Sequence, residues 1–135
     1  MVTYALDASA LLRFLDDEAG SDRVSEIIKS HVSGNCKAIV SAVHWGEIAG
    51  VTCKFHGRAV MDSVLARLEA FGLEIVPATG ERAVRASLIK LKRRVPYVDA
   101  FGAELVDAAD HVLVTADFDL KPARKDIKIE FLPAK

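Results

Sequence analysis

Short apolar runs alternate along the chain with longer stretches of helical periodicity. Val2-Thr3-Tyr4-Ala5-Leu6 is β-prone and stops at Asp7, which predicts a first strand. Residues 8–16 read as a helix with Leu11, Leu12 and Leu15 on one side. Gly20-Ser21 breaks it, and Ser21 suits the cap of a second helix reaching about His31, with Val24, Ile27 and Ile28 at helical spacing. Lys37-Ala38-Ile39-Val40 predicts a second strand, and Ser41 an N-cap for a helix through about Phe55. A further helix spans about Arg58 to Ala70, Gly72 ends it, and Leu73–Val76 is a third strand stopped by Pro77. Residues 80–94 are helical until Val95-Pro96 interrupts, because the residue before proline avoids helical geometry. Residues 98–109 form another helix, His111–Val114 a fourth strand and Ile127–Leu132 a fifth.

Strands alternating with helices predict an α/β fold: a central parallel sheet of about five strands, with helices on both faces. No repeat or linker divides residues 1–135, so one domain is expected. In such sheets, sites form beyond the carboxyl ends of the strands. Asp7 follows the first strand, Ser41 and Glu47 the second, and Asp117 and Asp119 the fourth, so three loops deliver acid to one edge. At 51% hydrophobic residues the chain can fill a core, and a net charge of -1 gives no global positive field. Cys36 and Cys53 form neither a zinc pattern nor a disulfide framework. No apolar run is long enough to span a membrane, and the N-terminus lacks a basic region, so a cytoplasmic protein is expected.

Converging carboxylates repel one another unless a cation neutralises them, and hard oxygen donors favour Mg²⁺ or Mn²⁺ over zinc. Such a site suits phosphoryl chemistry. Each acid also has a simpler reading. Asp7 suits a helix N-cap, Ser9 an ordinary first-turn residue, and Asp117 and Asp119 a solvated turn. Glu47 lies off the apolar stripe of Trp45, Ile48, Thr52 and Phe55. Asp99 is a first-turn aspartate at the margin of a core face made by Val98, Phe101, Gly102, Leu105 and Ala109. Glu104, Asp107 and Asp110 read as solvent-facing.

The segments LDASALL (6–12), VSAVHWGEIAGV (40–51), VPYVDAFGAELVDAADHVLVTADFDL (95–120) and IKIEFLP (127–133) together resemble PIN domains, and among them the VapC-type toxins of toxin–antitoxin pairs. The resemblance implies a three-layer α/β/α PIN fold and a metal-dependent ribonuclease. It implies Asp7, Glu47, Asp99 and Asp117 as the catalytic and metal-holding acids, Asp119 as an additional metal-holding acid, and Ser9 and Thr115 as supporting hydroxyls. It further implies a homodimer, a VapB-type antitoxin that blocks the pocket, and hydrolysis leaving a 5′-phosphate and a 3′-hydroxyl. Gly102 and Glu104 depart from the usual pattern of the helix they occupy; the four principal acids are all present.

An acidic pocket repels RNA, so flanking cations are needed. Arg82, Arg85, Lys92 and Arg93 cluster beside the face made by Val84, Leu88, Leu91 and Val95, and are the candidate RNA strip, with Arg94 or Lys90; Arg13 and Lys121 lie nearer the acidic edge in sequence. His44, Trp45 and Phe118 are candidates for base stacking or partner contact, and the helices at 21–33 and 42–55 for a partner groove. The expected function is a Mg²⁺- or Mn²⁺-dependent endoribonuclease, the toxin of a VapBC-type system. Two competitors remain. A haloacid dehalogenase-type phosphatase would use Asp7 as nucleophile but wants a second aspartate where Ser9 stands. A receiver or adaptor domain would bind Mg²⁺ without catalysis.

Overall fold

The computed structural model describes residues 1–135. The elements in chain order are β1 (Thr3–Leu6), α1 (Ala8–Leu15), α2 (Ser21–Val32), β2 (Lys37–Ser41), α3 (Ala42–His56), α4 (Arg58–Ala70), β3 (Glu74–Val76), α5 (Gly80–Arg93), α6 (Tyr97–Glu104), β4 (His111–Thr115), a 3₁₀ segment (Phe118–Ala123) and β5 (Ile129–Phe131). The strands form one parallel sheet in the order β3-β2-β1-β4-β5. Side chains alternate across it, as the pleat requires. Leu6, Ala38, Val40 and Val114 face a core shared with α1, α2, α3 and α4, while Ala5, Ile39 and Leu113 face a second core closed by α5 and α6. This is the three-layer α/β/α arrangement the alternating pattern predicts. No helix is long and apolar enough to cross a membrane.

Several local expectations need correction. The sixth helix stops at Glu104, not at residue 109; Leu105 and Val106 continue as tight i→i−3 turns, with amides bonding Gly102 O and Ala103 O. Both are buried, whereas Val98 and Ala109 are exposed. The capping position of α2 is Gly20, not Ser21, whose hydroxyl donates instead to Asp17 Oδ1. Phe55, at the end of the predicted α3 stripe, is exposed. On α5, Val84, Leu88 and Leu91 face outward, Leu91 with 73% of its surface exposed. The helix buries Ala86, with Ala83 and Ile89 beside it, because the small alanines let α5 lie close against α6.

Glu104 is the largest correction. It lies within that helix pair with 1% of its side chain exposed. Its Oε1 accepts from Arg82 Nη1 at 2.6 Å and from Arg85 Nε and Nη2 at 3.1 and 3.0 Å, while Oε2 has no partner. Arg13 is structural too: it is buried and donates through Nη1 to Ala19 O and Pro133 O, fastening the C-terminal segment.

Gly20 is required for two reasons. Its φ is +89°, and a Cβ would lie 2.8 Å from Leu132 Cβ in the core. Gly20→Ala is therefore expected to lower stability by about 2–4 kcal/mol, combining left-handed strain with overpacking. An unchanged urea midpoint would contradict this reading of the β5 end.

Candidate active site

The first acid is fixed by the chain's own geometry. Asp7 ends β1 and caps α1, so its carboxylate turns back over the sheet edge and accepts from Ala10 N at 3.0 Å. Ser9 Oγ donates to the same oxygen at 2.6 Å, and Thr115 Oγ1, at the end of the neighbouring β4, donates to Asp7 Oδ2. Those hydroxyls are held in turn by Ala116 N and Asp117 N, at 2.8 and 2.9 Å. Asp7 is 3% exposed and is cap and pocket residue at once. A carboxylate offers about four lone-pair positions and three are used here, leaving roughly one, on Oδ2, for another ligand. Burial pushes its carboxyl above the ordinary aspartate range, against the pull of these donors.

The other acids come from three more segments. Asp117 follows β4 and caps the 3₁₀ segment by accepting from Asp119 N at 2.9 Å. Asp99 stands in the first turn of α6, directed there by the Val95-Pro96 break. One carboxylate oxygen from each of Asp99, Asp117 and Asp119 lies within 4.8 Å of the others. Burial, a hydrogen bond to Asp117 and the charges of Asp117, Asp7 and Glu47 push Asp99 up to about 8. Glu47 reaches in from α3; burial raises its carboxyl, His44 opposes, and the charges of Asp7 and Asp117 raise it further. The structure thus brings Asp7, Glu47, Asp99 and Asp117 into one interacting group, with Ser9 and Thr115 beneath it and Asp119 at its open side.

This donor set fits a divalent cation. All the offered atoms are carboxylate oxygens, and burial together with their mutual charge raises Asp99 and Glu47. His44 is no donor to the pocket. It is buried, with Nε2 bonded to Val98 O at 2.8 Å and Nδ1 unpartnered. It ties α3 to the start of α6 and so helps place Asp99. Gly102 makes room for that ring: a Cβ there would lie 3.1 Å from His44 Cε1 and from Leu113 Cδ1. The glycine that departs from the family pattern is thus matched by its neighbour. Trp45 packs against the α1–α4 core, and Phe118, partly exposed, stacks on Phe131 with Lys121 Nζ over its ring.

The structure sets Arg82 apart from the rest of the predicted basic strip, while Arg85 lines one groove with Lys92 and Arg93. Arg82 lines a depression with Thr3, Lys37, Glu74 and His111, the starting residues of four strands, and so belongs to the edge opposite the acids. Arg82 and Arg85 are both committed to Glu104. Lys92 and Arg93 lie at the other end of α5, in a concavity shared with Arg94, Lys121, Arg124 and Lys125. Arg124 and Lys125 escaped the sequence reading, although the short basic stretches at 92–94 and 121–125 carry a signal for this wall.

The comparisons agree with this architecture. A chain of VapBC2 from Rickettsia felis bound to a promoter DNA fragment superposes with a TM-score of 0.75 at 14% identity, covering 98% of this chain and 100% of that one. DNA-bound VapBC from Salmonella typhimurium gives 0.67 at 18% identity, covering 97% and 98%. Mycobacterium tuberculosis VapC20, described as a sarcin–ricin loop cleaving toxin, gives 0.64 at 13% identity, covering 96% and 99%. At these identities the likeness speaks for the fold. No curated protein matches the sequence. The family model of the PIN domain matches residues 4–126, nearly the whole chain and all of the acidic site, and the protein belongs to the PIN domain family.

Proposed function

We propose that the protein is a Mg²⁺- or Mn²⁺-dependent endoribonuclease and the toxin of a VapBC-type pair. The observation that carries the reading is the convergence of Asp7, Glu47, Asp99 and Asp117 from four separate segments onto one spot, where burial first, and then the neighbouring acids' charges, raise Asp99 and Glu47. The VapBC complexes among the similar structures support a VapB-type antitoxin as partner, and pairing of two copies belongs to the same reading.

A divalent cation bound here would acidify water and stabilise charge on the phosphoryl oxygens. The chain's own residues set the stage for it. Ser9, Thr115 and Ala10 N hold Asp7 in one rotamer, so its remaining lone pair points at a fixed position. Asp99, hydrogen-bonded to Asp117 and pushed up to about 8, would give up its proton where a cation was held. Glu47, nearer to solvent, would add a further carboxylate from α3. In the reaction a water oxygen bonds to phosphorus and the bond from phosphorus to the 3′ oxygen breaks. That oxygen takes up a proton, leaving a 3′-hydroxyl and a 5′-phosphate. The burial and three hydrogen bonds of Asp7 disfavour its use as a phosphatase nucleophile.

The test is cleavage of RNA by purified protein freed of any partner. Cutting in Mn²⁺, its loss in chelator and 5′-phosphate ends are the expected results. Metal binding without cutting of any RNA would favour a non-catalytic Mg²⁺-binding domain instead.

A further inference from the structure

Six of the chain's 18 lysines and arginines line one concavity of about 370 Å³. Lys92 and Arg93 come from the last turn of α5 and Arg94 from its left-handed cap, at φ 58°. Lys121, Arg124 and Lys125 come from the 3₁₀ segment and the turn after it, with Pro122 the remaining lining residue. Only Arg93 has an ion-pair partner, Asp126 at 2.7 Å; the other five form no salt bridge. Both walls adjoin the acidic segments in the chain: Lys121 is two residues beyond Asp119, and Arg94 leads through Val95-Pro96 into the helix bearing Asp99.

Five uncompensated cations at one place, on a chain of net charge -1, make a local positive field beside a local negative one. Apart from Pro122 the lining has no apolar side chain to receive the anchors of a peptide. It suits a run of phosphates. Phe118, between Asp117 and Lys121 in the chain, is stacked on Phe131 and partly exposed, with Lys121 Nζ 5.2 Å from its ring centroid, and offers an aromatic edge for one base. Resting on the nuclease reading above, we propose that this concavity holds the phosphate backbone of single-stranded RNA and sets the side from which substrate enters the acidic pocket.

The test is cleavage kinetics on a short labelled single-stranded RNA in Mn²⁺, between about 50 and 200 mM salt. Lys121→Gln/Arg124→Gln/Lys125→Gln is expected to raise KM at least tenfold with kcat changed less than twofold. The slope of log KM against log salt should fall by about 2, three lost phosphate contacts at ~0.7 each. Arg124→Glu/Lys125→Glu should raise KM similarly, and the remote pair Lys29→Gln/Lys54→Gln should leave it unchanged. A wild-type enzyme that cuts while the triple variant keeps its KM and salt slope would overturn the assignment and leave the nuclease reading intact. So would an equal KM rise in the remote pair. A polyglutamate peptide that competes only when these cations are present, with KM for RNA unaltered, would make the surface a protein contact and also overturn it. A wild-type chain that cuts no RNA would remove both.

Discussion

Asp99→Asn is expected to fold, to gain stability at pH 8 without metal, and to lose RNA cutting by more than about a hundredfold, beyond the 10–100-fold typical of residues that only support a metal ligand. The sign follows from Asp99 itself. Its carboxyl is pushed up to about 8 in the folded chain from the ordinary aspartate value of 3.8. Between those values the folded state binds a proton that the unfolded state does not. Metal-free stability therefore falls as pH rises from about 4 through about 8. Asparagine stands in for the protonated acid, so that part of the slope disappears, and the variant is the more stable of the two at pH 8. A bound cation reverses the wild-type trend, because it favours the ionised form, and its stabilising effect grows over the same window. Urea unfolding at pH 5 and pH 8, with and without Mn²⁺, reads all of this. A variant as pH-sensitive as wild type, or one that still cuts at full rate, would contradict the role given to Asp99.

The second large effect lies away from the site. Arg82→Met/Arg85→Met leaves the buried Glu104 carboxylate with no partner, and an uncompensated buried charge costs about 3–5 kcal/mol. Adding Glu104→Leu should restore most of that loss, because an apolar trio of similar volume avoids the desolvation of all three charges. The triple variant should also cut RNA with an unaltered KM, since both arginines are committed to Glu104 in the α5–α6 contact. An unchanged unfolding midpoint in the double variant would show that solvent already carries the charge of Glu104.

These two sites also differ in how far they could be read from the chain. The acids were legible because each follows an apolar β-prone run or a proline break, and a parallel sheet sends those ends to one edge. Ser9 and Thr115 came with them, being two residues from Asp7 and Asp117. Glu104 was not legible. On its own helix it looks solvent-facing, and its partners lie 22 and 19 residues earlier on another element. The packing of α5 was hidden for a related reason. Val84, Leu88 and Leu91 make the more apolar face, but Ala83 and Ala86 make the closer one, and proximity to α6 decided which was buried. The early end of α6 belongs to the same problem, since Leu105 and Val106 fill the core from a turn as well as they would from a helix.

Asp7, Glu47, Asp99 and Asp117 are proposed to build one divalent cation site. Anomalous diffraction from crystals grown with Mn²⁺ tests it most directly. The account predicts a manganese peak at bonding distance from oxygens of these carboxylates, with Asp7 keeping its bonds to Ser9 and Thr115. A peak held only by other residues, or none here at a saturating concentration, would contradict it.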